Sequence, residues 1–188
     1  LAGLRFRIED RAPLLLSSTV QRNNFLLNVD LTNPDVYDGK RLVLEKDSFH
    51  VARTKFLWQA GCYELFRISS YLARAYSLRV SLTFGTDFAD MFEVRGQMRQ
   101  RRGRMLPVQV ENAGVTFRYE GLDGLERATC IAFSHPPSRL TADRADFLIL
   151  LPPNGCIDFY LEIGSMPGTA SPSRVRYRAA AAKARRAT

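Results

Sequence analysis

A regular alternation of apolar and polar residues is the pattern that most restricts what this chain can fold into. In YSLRVSLTF, residues 76–84, every second residue is apolar or aromatic, and the residues between them are serine, arginine and threonine. CIDFYLEI, residues 156–163, alternates in nearly the same way. Because successive side chains of a β-strand point to opposite faces, this alternation is typical of a strand with one buried face. Both segments are therefore predicted to be half-buried strands.

The same pattern recurs along most of the chain, interrupted by turn-forming pairs such as Asn33 with Pro34 and Asp38 with Gly39. About a dozen short strands broken by turns predict an all-β fold, an antiparallel β-sandwich with at most about 15% helix. A parallel sheet with long crossover helices is not expected. The further strand candidates are residues 4–9, 14–17, 25–31, 42–46, 49–58, 62–69, 108–110, 115–120, 129–134 and 147–151.

The composition indicates one β-domain followed by a connecting segment. With 188 residues, 46% of them hydrophobic, the chain can bury a core without help from a metal or disulfide. Residues 1–165 are expected to form the sandwich. Residues 166–188 begin with a linker and continue as an alanine-rich helix that ends before it can pack, which suggests that a further domain follows. The longest aliphatic run, residues 147–151, is too short for a membrane helix.

Two residues on the predicted strands are unusual for their positions. In CYELFRIS, residues 62–69, Glu64 shares a face with Phe66 and Ile68 and so interrupts an apolar stripe. Trp58, the only tryptophan, ends a largely apolar strand candidate. Packing in the core is the preferred interpretation for Trp58, and stacking on a sugar ring is the alternative.

The formal charge of +8 is concentrated in two segments. Residues 95–104 contain five arginines and no acid, and residues 171–188 contain five arginines and Lys183, again with no acid. Without those eleven positive charges the chain carries 16 basic and 19 acidic residues. Residues 95–104 contain no aromatic residue and residues 171–188 contain only Tyr177, so neither segment has the series of interleaved aromatic residues that stack on bases. Nucleic-acid binding is therefore not expected, and residues 95–104 are predicted to be an exposed loop.

The cysteines and histidines indicate neither a disulfide framework nor a metal site. Cys62, Cys130 and Cys156 are odd in number, lack C-x-x-C spacing and stand beside apolar residues, as reduced buried thiols do. The histidines His50 and His135 are far apart in sequence and show no zinc-binding pattern. We therefore expect no metal and no cofactor, and a reducing, cytoplasmic location.

The segment GTDFADMFEVRG, residues 85–96, has the richest combination of side chains. Asp87 is predicted to cap a single helical turn. Phe88, Met91 and Phe92, spaced i, i+3 and i+4, are then expected to point inward as an apolar plug.

The charged residues of this segment allow two interpretations. Asp87, Asp90 and Glu93 could serve glycosidic acid–base chemistry, which needs two carboxylates on either side of a bond. Carboxylates on one short segment seldom have that arrangement, so a structural corner with a Glu93–Arg95 ion pair is preferred. Contact with a ligand or a partner domain remains as a third possibility. Asp87, Asp90, Glu93 and Arg95 are therefore candidates for a ligand or domain interface, and no residue is assigned as catalytic.

Several segments together resemble one known family. The most distinctive is DFADMFEVRG, residues 87–96, with the arginine-rich stretch behind it. The others are PLLLSS (13–18), LTNPD (31–35), the paired strands at 49–71, VTFRYEGLDG (115–124), IAFSHPP (131–137) and the closing strand at 156–163. Over essentially its whole length the chain resembles the N-terminal domain of bacterial glycogen debranching enzymes, the amylo-alpha-1,6-glucosidase-like group.

The resemblance implies a β-supersandwich ahead of an (α/α) barrel of the glucoamylase-like type. In such glycosidases the acid and base carboxylates belong to the barrel, which this sequence lacks. The first hypothesis is thus a non-catalytic accessory domain that packs on the helical catalytic domain of the same polypeptide and shapes its cleft. The alternative is an autonomous carbohydrate-binding or interaction module. An α-glucan is a candidate ligand, whereas nucleic acid and membrane are not expected partners.

Overall fold

Strands dominate the computed structural model, which describes residues 2–21, 25–165 and 171–187. The chain is 54% strand and 10% helix, which confirms the predicted all-β class. Over the described residues the elements are β1 (Gly3–Ile8), β2 (Leu14–Val20), β3 (Leu27–Thr32), β4 (Val36–Asp38), β5 (Arg41–Leu44), β6 (Phe49–Trp58), β7 (Gly61–Ser70), β8 (Tyr76–Gly85), α1 (Met91–Val94), β9 (Arg104–Met105), β10 (Gln109–Glu111), β11 (Gly114–Glu120), β12 (Glu126–Phe133), β13 (Arg139–Leu140), β14 (Arg144–Leu151), β15 (Cys156–Gly164) and α2 (Arg174–Ala187).

Two antiparallel sheets form the sandwich. The smaller has four strands in the order β1-β8-β14-β13. The larger has nine, in the order β10-β11-β12-β15-β7-β6-β3-β2, with β9 added beside β11. A separate ribbon pairs β4 with β5. The short strands β4, β9 and β13 were not predicted, because strands of two or three residues are too short to show alternation.

Aromatic side chains from both sheets fill the space between them. Phe147 of the small sheet lies 4.8 Å from Phe159 and 5.4 Å from Phe133 of the large sheet, measured between ring centroids. Phe6 of the small sheet stacks on Phe66 of the large sheet at 5.0 Å. These contacts join the inward faces that the alternation predicted, so the core is continuous across the sandwich.

A fully buried glutamate, Glu64, lies on the same face of β7 as Phe66 and is paired with two partly exposed cations. The Glu64 side chain is 0% exposed. One carboxylate oxygen is 2.7 Å from Nη2 of Arg53, and the other is 2.6 Å from Nζ of Lys55 on the neighbouring strand. The guanidinium of Arg53 also lies over the ring of Phe66. Glu64 is compatible with a core position because two cations on β6 neutralise it.

The sequence predicted that all three cysteines are buried, and two of them are at least half shielded from solvent. All three are free; Cys130 is buried and Cys62 is half-buried. Burial, with a smaller contribution from the Glu64 carboxylate, raises the pKa of Cys62 to about 11, so this thiol stays protonated at neutral pH. Cys156 is exposed, and its predicted burial is wrong, because the first residue of β15 points away from the core.

The alanine-rich helix predicted near the C-terminus is present as α2, but the expectation that it ends before it can pack is wrong. It lies against β6 and β7, where the rings of Tyr177 and Phe56 are 5.1 Å apart and Ala180 is buried. The guanidinium of Arg176 donates to both oxygens of Glu162. Alanine allows close approach of the helix to the sheet. Residues 166–170 of the predicted linker lie outside the described residues.

In the described ranges, neither α1 nor α2 has the length and apolar character that crossing a membrane would require.

The ion cluster around Glu64 leads to a stability prediction. Glu64→Gln should lower the free energy of unfolding by about 3 kcal/mol, because it leaves two cations beside the core without their counter-charge. Urea melting of the purified chain measures this. The matched control is Glu126→Gln, which breaks the half-exposed pair of Glu126 with Arg118 at 3.5 Å and should cost less than about 0.5 kcal/mol. Equal costs for the two variants would contradict the role given to Glu64.

Candidate functional site

Three of the four interface candidates from the sequence, Asp87, Asp90 and Glu93, line a groove of about 840 Å³ at one end of the sandwich, whereas Arg95 is not among the lining residues. One wall is the segment between β8 and β9, which we call the 86–103 segment. The opposite wall is formed by Tyr119 of β11 and by the turn from β11 to β12. Its lining includes Thr86, Asp87, Phe88, Asp90, Glu93, Val94, Arg99, Arg101, Arg102, Gly103, Tyr119, Gly121, Leu122, Asp123 and Arg127.

The helical turn predicted in this segment is α1, and its cap is Asp90 rather than Asp87. Oδ1 of Asp90 accepts hydrogen bonds from the backbone N–H groups of Phe92 and Glu93, at 2.8 and 2.9 Å. Oε2 of Glu93 accepts one from the backbone N–H of Asp90 at 3.0 Å, which completes a capping box. Asp87 instead closes a tight turn by accepting from the N–H of Ala89. The D-x-x-E spacing of Asp90 and Glu93 was a signal for this cap that the sequence interpretation did not use.

Three arginine contacts hold α1 and its acids toward the groove. Arg99 forms an ion pair with Asp90. Nε of Arg102 is 3.0 Å from Oε1 of Glu93, and its Nη2 donates to the carbonyl oxygen of Asp87 at 2.5 Å. The predicted Glu93–Arg95 pair is therefore wrong, because the carboxylate of Glu93 is bound by Arg102 and by the cap. Hydrogen bonding to the backbone N–H of Glu93, followed by Arg99, lowers the pKa of Asp90.

The predicted apolar plug is correct for one residue of three. Phe88 packs against the core and stacks on the ring of Tyr119, with centroids 5.2 Å apart. Met91 and Phe92 are 58% and 46% exposed. The i, i+3, i+4 rule failed here because the helix begins at Met91, so Phe88 lies outside it, with a φ of 46° in the left-handed region.

The far end of the segment is anchored on β11. The backbone N–H of Gly103 donates to the hydroxyl oxygen of Tyr119 at 2.6 Å. A Cβ at Gly103 would lie 2.0 Å from the carbonyl oxygen of Glu120, so only glycine fits this approach. Arg104 then pairs with the Glu120 side chain at 2.7 Å. The arginine-rich stretch is exposed as predicted, but it is held at both ends.

The opposite wall contains an ion pair that the sequence interpretation missed. Arg127 forms two hydrogen bonds to the carboxylate of Asp123, at 2.7 and 3.0 Å. Bonding to Arg127, followed by the backbone N–H of Leu125, holds the pKa of Asp123 well below its usual range. The sequence signal for this pair was the four-residue spacing of Asp123 and Arg127 in the turn after β11. Whether the two side chains pair depends on the geometry of that turn.

The groove surface therefore alternates between hydrogen-bond donors and acceptors. Its carboxylates Asp90, Glu93 and Asp123 each face an arginine, and Arg101 adds a further donor. The lowered pKa values of Asp90 and Asp123 favour carboxylates that stay ionised, which suits hydrogen bonding better than proton delivery. Within the described residues, no cluster of His, Cys, Asp and Glu has an arrangement that could hold a metal ion.

The family model described as the N-terminal domain of (some) glycogen debranching enzymes matches residues 1–162. The chain belongs to this family. The match runs from β1 into β15 and includes both walls of the groove. It confirms the resemblance inferred from the sequence. No curated protein sequence matches the chain.

Three solved structures are similar to this family member. A protein assigned as a kojibiose phosphorylase from the human microbiome has a TM-score of 0.58 at 9% identity, over 98% of this chain and 25% of its own. An Escherichia coli K12 protein assigned as an aldose 1-epimerase has a TM-score of 0.41 at 9% identity, over 82% of this chain and 68% of its own. A polysaccharide lyase has 0.42 at 9% identity, over 88% and 25%. The phosphorylase shows a shared fold, and this chain spans about a quarter of its length.

The different burial of two phenylalanines predicts different costs of truncation. Phe88→Ala should lower the free energy of unfolding by about 2 kcal/mol, because it removes the ring that packs on Tyr119 and the core. Phe92→Ala should cost less than about 1 kcal/mol, since this ring is already half exposed. Urea melting of both variants checks the comparison. A larger loss in the free energy of unfolding for Phe92→Ala than for Phe88→Ala would show that Phe92 points into the core.

The close approach at Gly103 predicts that an added methyl group loosens the segment. Gly103→Ala should cost about 1–3 kcal/mol and increase protease cleavage within residues 95–104, because the clash is with backbone. The matched control is Gly85→Ala at the other end, where an added Cβ meets nothing within 4 Å. Cleavage is followed by mass spectrometry, and unchanged cleavage in Gly103→Ala would show that Tyr119 does not anchor the segment.

Proposed function

We propose that this chain is a non-catalytic accessory domain of a glycogen-debranching-type glycoside hydrolase. In this proposal it packs on a helical (α/α) catalytic domain of the same polypeptide and helps to shape its active-site cleft. The single observation that carries the proposal is membership of a family of N-terminal domains of debranching enzymes. The similarity to about a quarter of a larger phosphorylase supports the same organisation.

The geometry of the acids supports a role other than catalysis. Asp90 and Glu93 are fixed on one short turn by the capping box and by arginines. The acid and the base of a glycoside hydrolase must lie on opposite sides of the glycosidic bond that is cleaved, and their pKa values must differ. We propose instead that Asp87, Asp90, Glu93 and Arg95 belong to a domain or ligand interface, in which Asp90 and Glu93 set the shape of the 86–103 segment.

The remaining parts of the proposal concern partners and location. The main partner is the helical catalytic domain, and an α-glucan is a candidate ligand of the assembled enzyme. Binding to nucleic acid or membrane is not part of the proposal. The cytoplasmic location follows the cysteine pattern of the sequence and stays a prediction.

A second candidate function is an autonomous carbohydrate-binding module. The observation that favours it is the groove, whose paired arginines and carboxylates offer donors and acceptors side by side without a large net charge. Such a surface suits a neutral polyhydroxyl ligand better than an anion. Calorimetric titration of the 188-residue chain with malto-oligosaccharides separates the two functions, because tight binding by the isolated chain supports the module.

The proposal predicts that activity depends on the assembled polypeptide. The 188-residue chain alone should release no glucose from a limit dextrin, whereas the full-length polypeptide should. In the full-length protein Glu93→Gln should lower kcat/KM by about tenfold or more, because loss of the ion pair with Arg102 displaces the segment. Leu150→Ser, at an exposed position of the small sheet, is the control. Glucose release by the isolated chain, abolished in Glu93→Gln, would overturn the non-catalytic role.

A further inference from the structure

The 86–103 segment exposes apolar side chains that usually lie inside a protein. Met91, Phe92, Val94 and Met98 are 58%, 46%, 76% and 96% exposed. All four lie within eight consecutive residues, and we call them the apolar knob. Val94 also borders the groove, whereas Met91, Phe92 and Met98 are not among its lining residues. Single exposed apolar residues are common on protein surfaces, but a group of four on one short segment marks an interaction site.

The acidic residues that neighbour the knob in sequence, Asp90 and Glu93, line the groove. Asp90 and Glu93 are engaged by the capping box, by Arg99 and by Arg102. Phe88 adopts a positive φ to reach Tyr119. Two acids, two arginines and a strained backbone position therefore hold the segment in a conformation in which methionine, phenylalanine and valine side chains remain exposed to solvent.

The surroundings of the knob indicate the chemistry of what covers it. Residues 95–104 contain five arginines and no acid. Arg99 and Arg102 pair with Asp90 and Glu93, whereas Arg95 and Arg101 are exposed, and Arg101 also lines the groove. A partner surface that matches has an apolar hollow for the knob and carboxylates at its rim.

We propose that the apolar knob docks into an apolar hollow, rimmed by acidic residues, on the catalytic domain of the same polypeptide. This inference rests on the proposed function and identifies the surface through which that function is exerted. The family places a domain like this one at the N-terminus of a larger enzyme, and this chain spans a quarter of the similar phosphorylase, so a covering domain is available within one polypeptide. The acids of the segment act as positioning residues for the knob.

Hydroxyl-radical footprinting of the full-length polypeptide tests the surface directly, because the segment carries its own internal reference. Met98 is 96% exposed in this domain, and Met105 on β9 is 46% exposed. Without a covering domain Met98 should oxidise faster than Met105. With the knob docked, the order reverses, and Met98 should oxidise at least about threefold more slowly than Met105.

A matched pair of double variants separates docking from general surface changes. Val94→Lys with Met98→Lys should abolish docking, so that Met91 oxidises at least as fast as Met105. Leu148→Lys with Leu150→Lys changes two side chains that are 63% and 69% exposed on the small sheet, and it should leave Met91 protected. Circular dichroism of both double variants checks that their strands persist.

The outcomes distinguish this inference from the function on which it rests. If Met98 oxidises fastest while another apolar surface, such as Leu148 and Leu150, becomes protected, the docking surface is wrong and the accessory function stands. If every exposed apolar residue oxidises according to its exposure in this domain, both are overturned. Protection of Met98 that disappears on dilution would assign the knob to a second copy of the chain and would also overturn the inference.

Discussion

Aromatic packing between the two sheets is the interaction on which the rest of the structure depends. Phe84, the last core residue of β8 in the small sheet, meets Phe117 of β11 and Phe133 of β12 in the large sheet, at centroid distances of 6.3 and 6.1 Å. These contacts fix the end of β8 relative to β11. The 86–103 segment begins after β8 and is anchored on β11 through Tyr119. The packing of the core therefore sets the width of the groove.

Carboxylates bind cationic side chains both inside this sandwich and on its surface. Glu64 is buried against two cations, and the acids of α1 are bound by arginines from the loop that follows. In both places the carboxylate determines where arginine side chains lie. The cluster at Glu64 orders neighbouring strands, whereas the contacts at α1 order a loop that has little core of its own. The high arginine content of residues 95–104 thus has a structural use without nucleic acid.

The groove and the apolar knob belong to the same segment. Its acids Asp90 and Glu93 line the groove, whereas Met91, Phe92 and Met98 are exposed and are not among the lining residues. This arrangement fits a domain that belongs to a family of N-terminal domains of larger enzymes. In the proposed docking, the capping box and the arginine pairs hold the segment in shape before its partner surface covers it.

The sequence by itself determined the strands, because alternation with a period of two is a local property that any buried sheet face requires. It also contained the capping box, since the spacing of Asp90 and Glu93 is local. The tertiary structure alone decided which residues of α1 line the groove, because the positive φ of Phe88 and the reach of Arg102 depend on Tyr119 and Gly103. Packing of α2 on the sheet was likewise decided by contacts distant in sequence, which no local period can reveal.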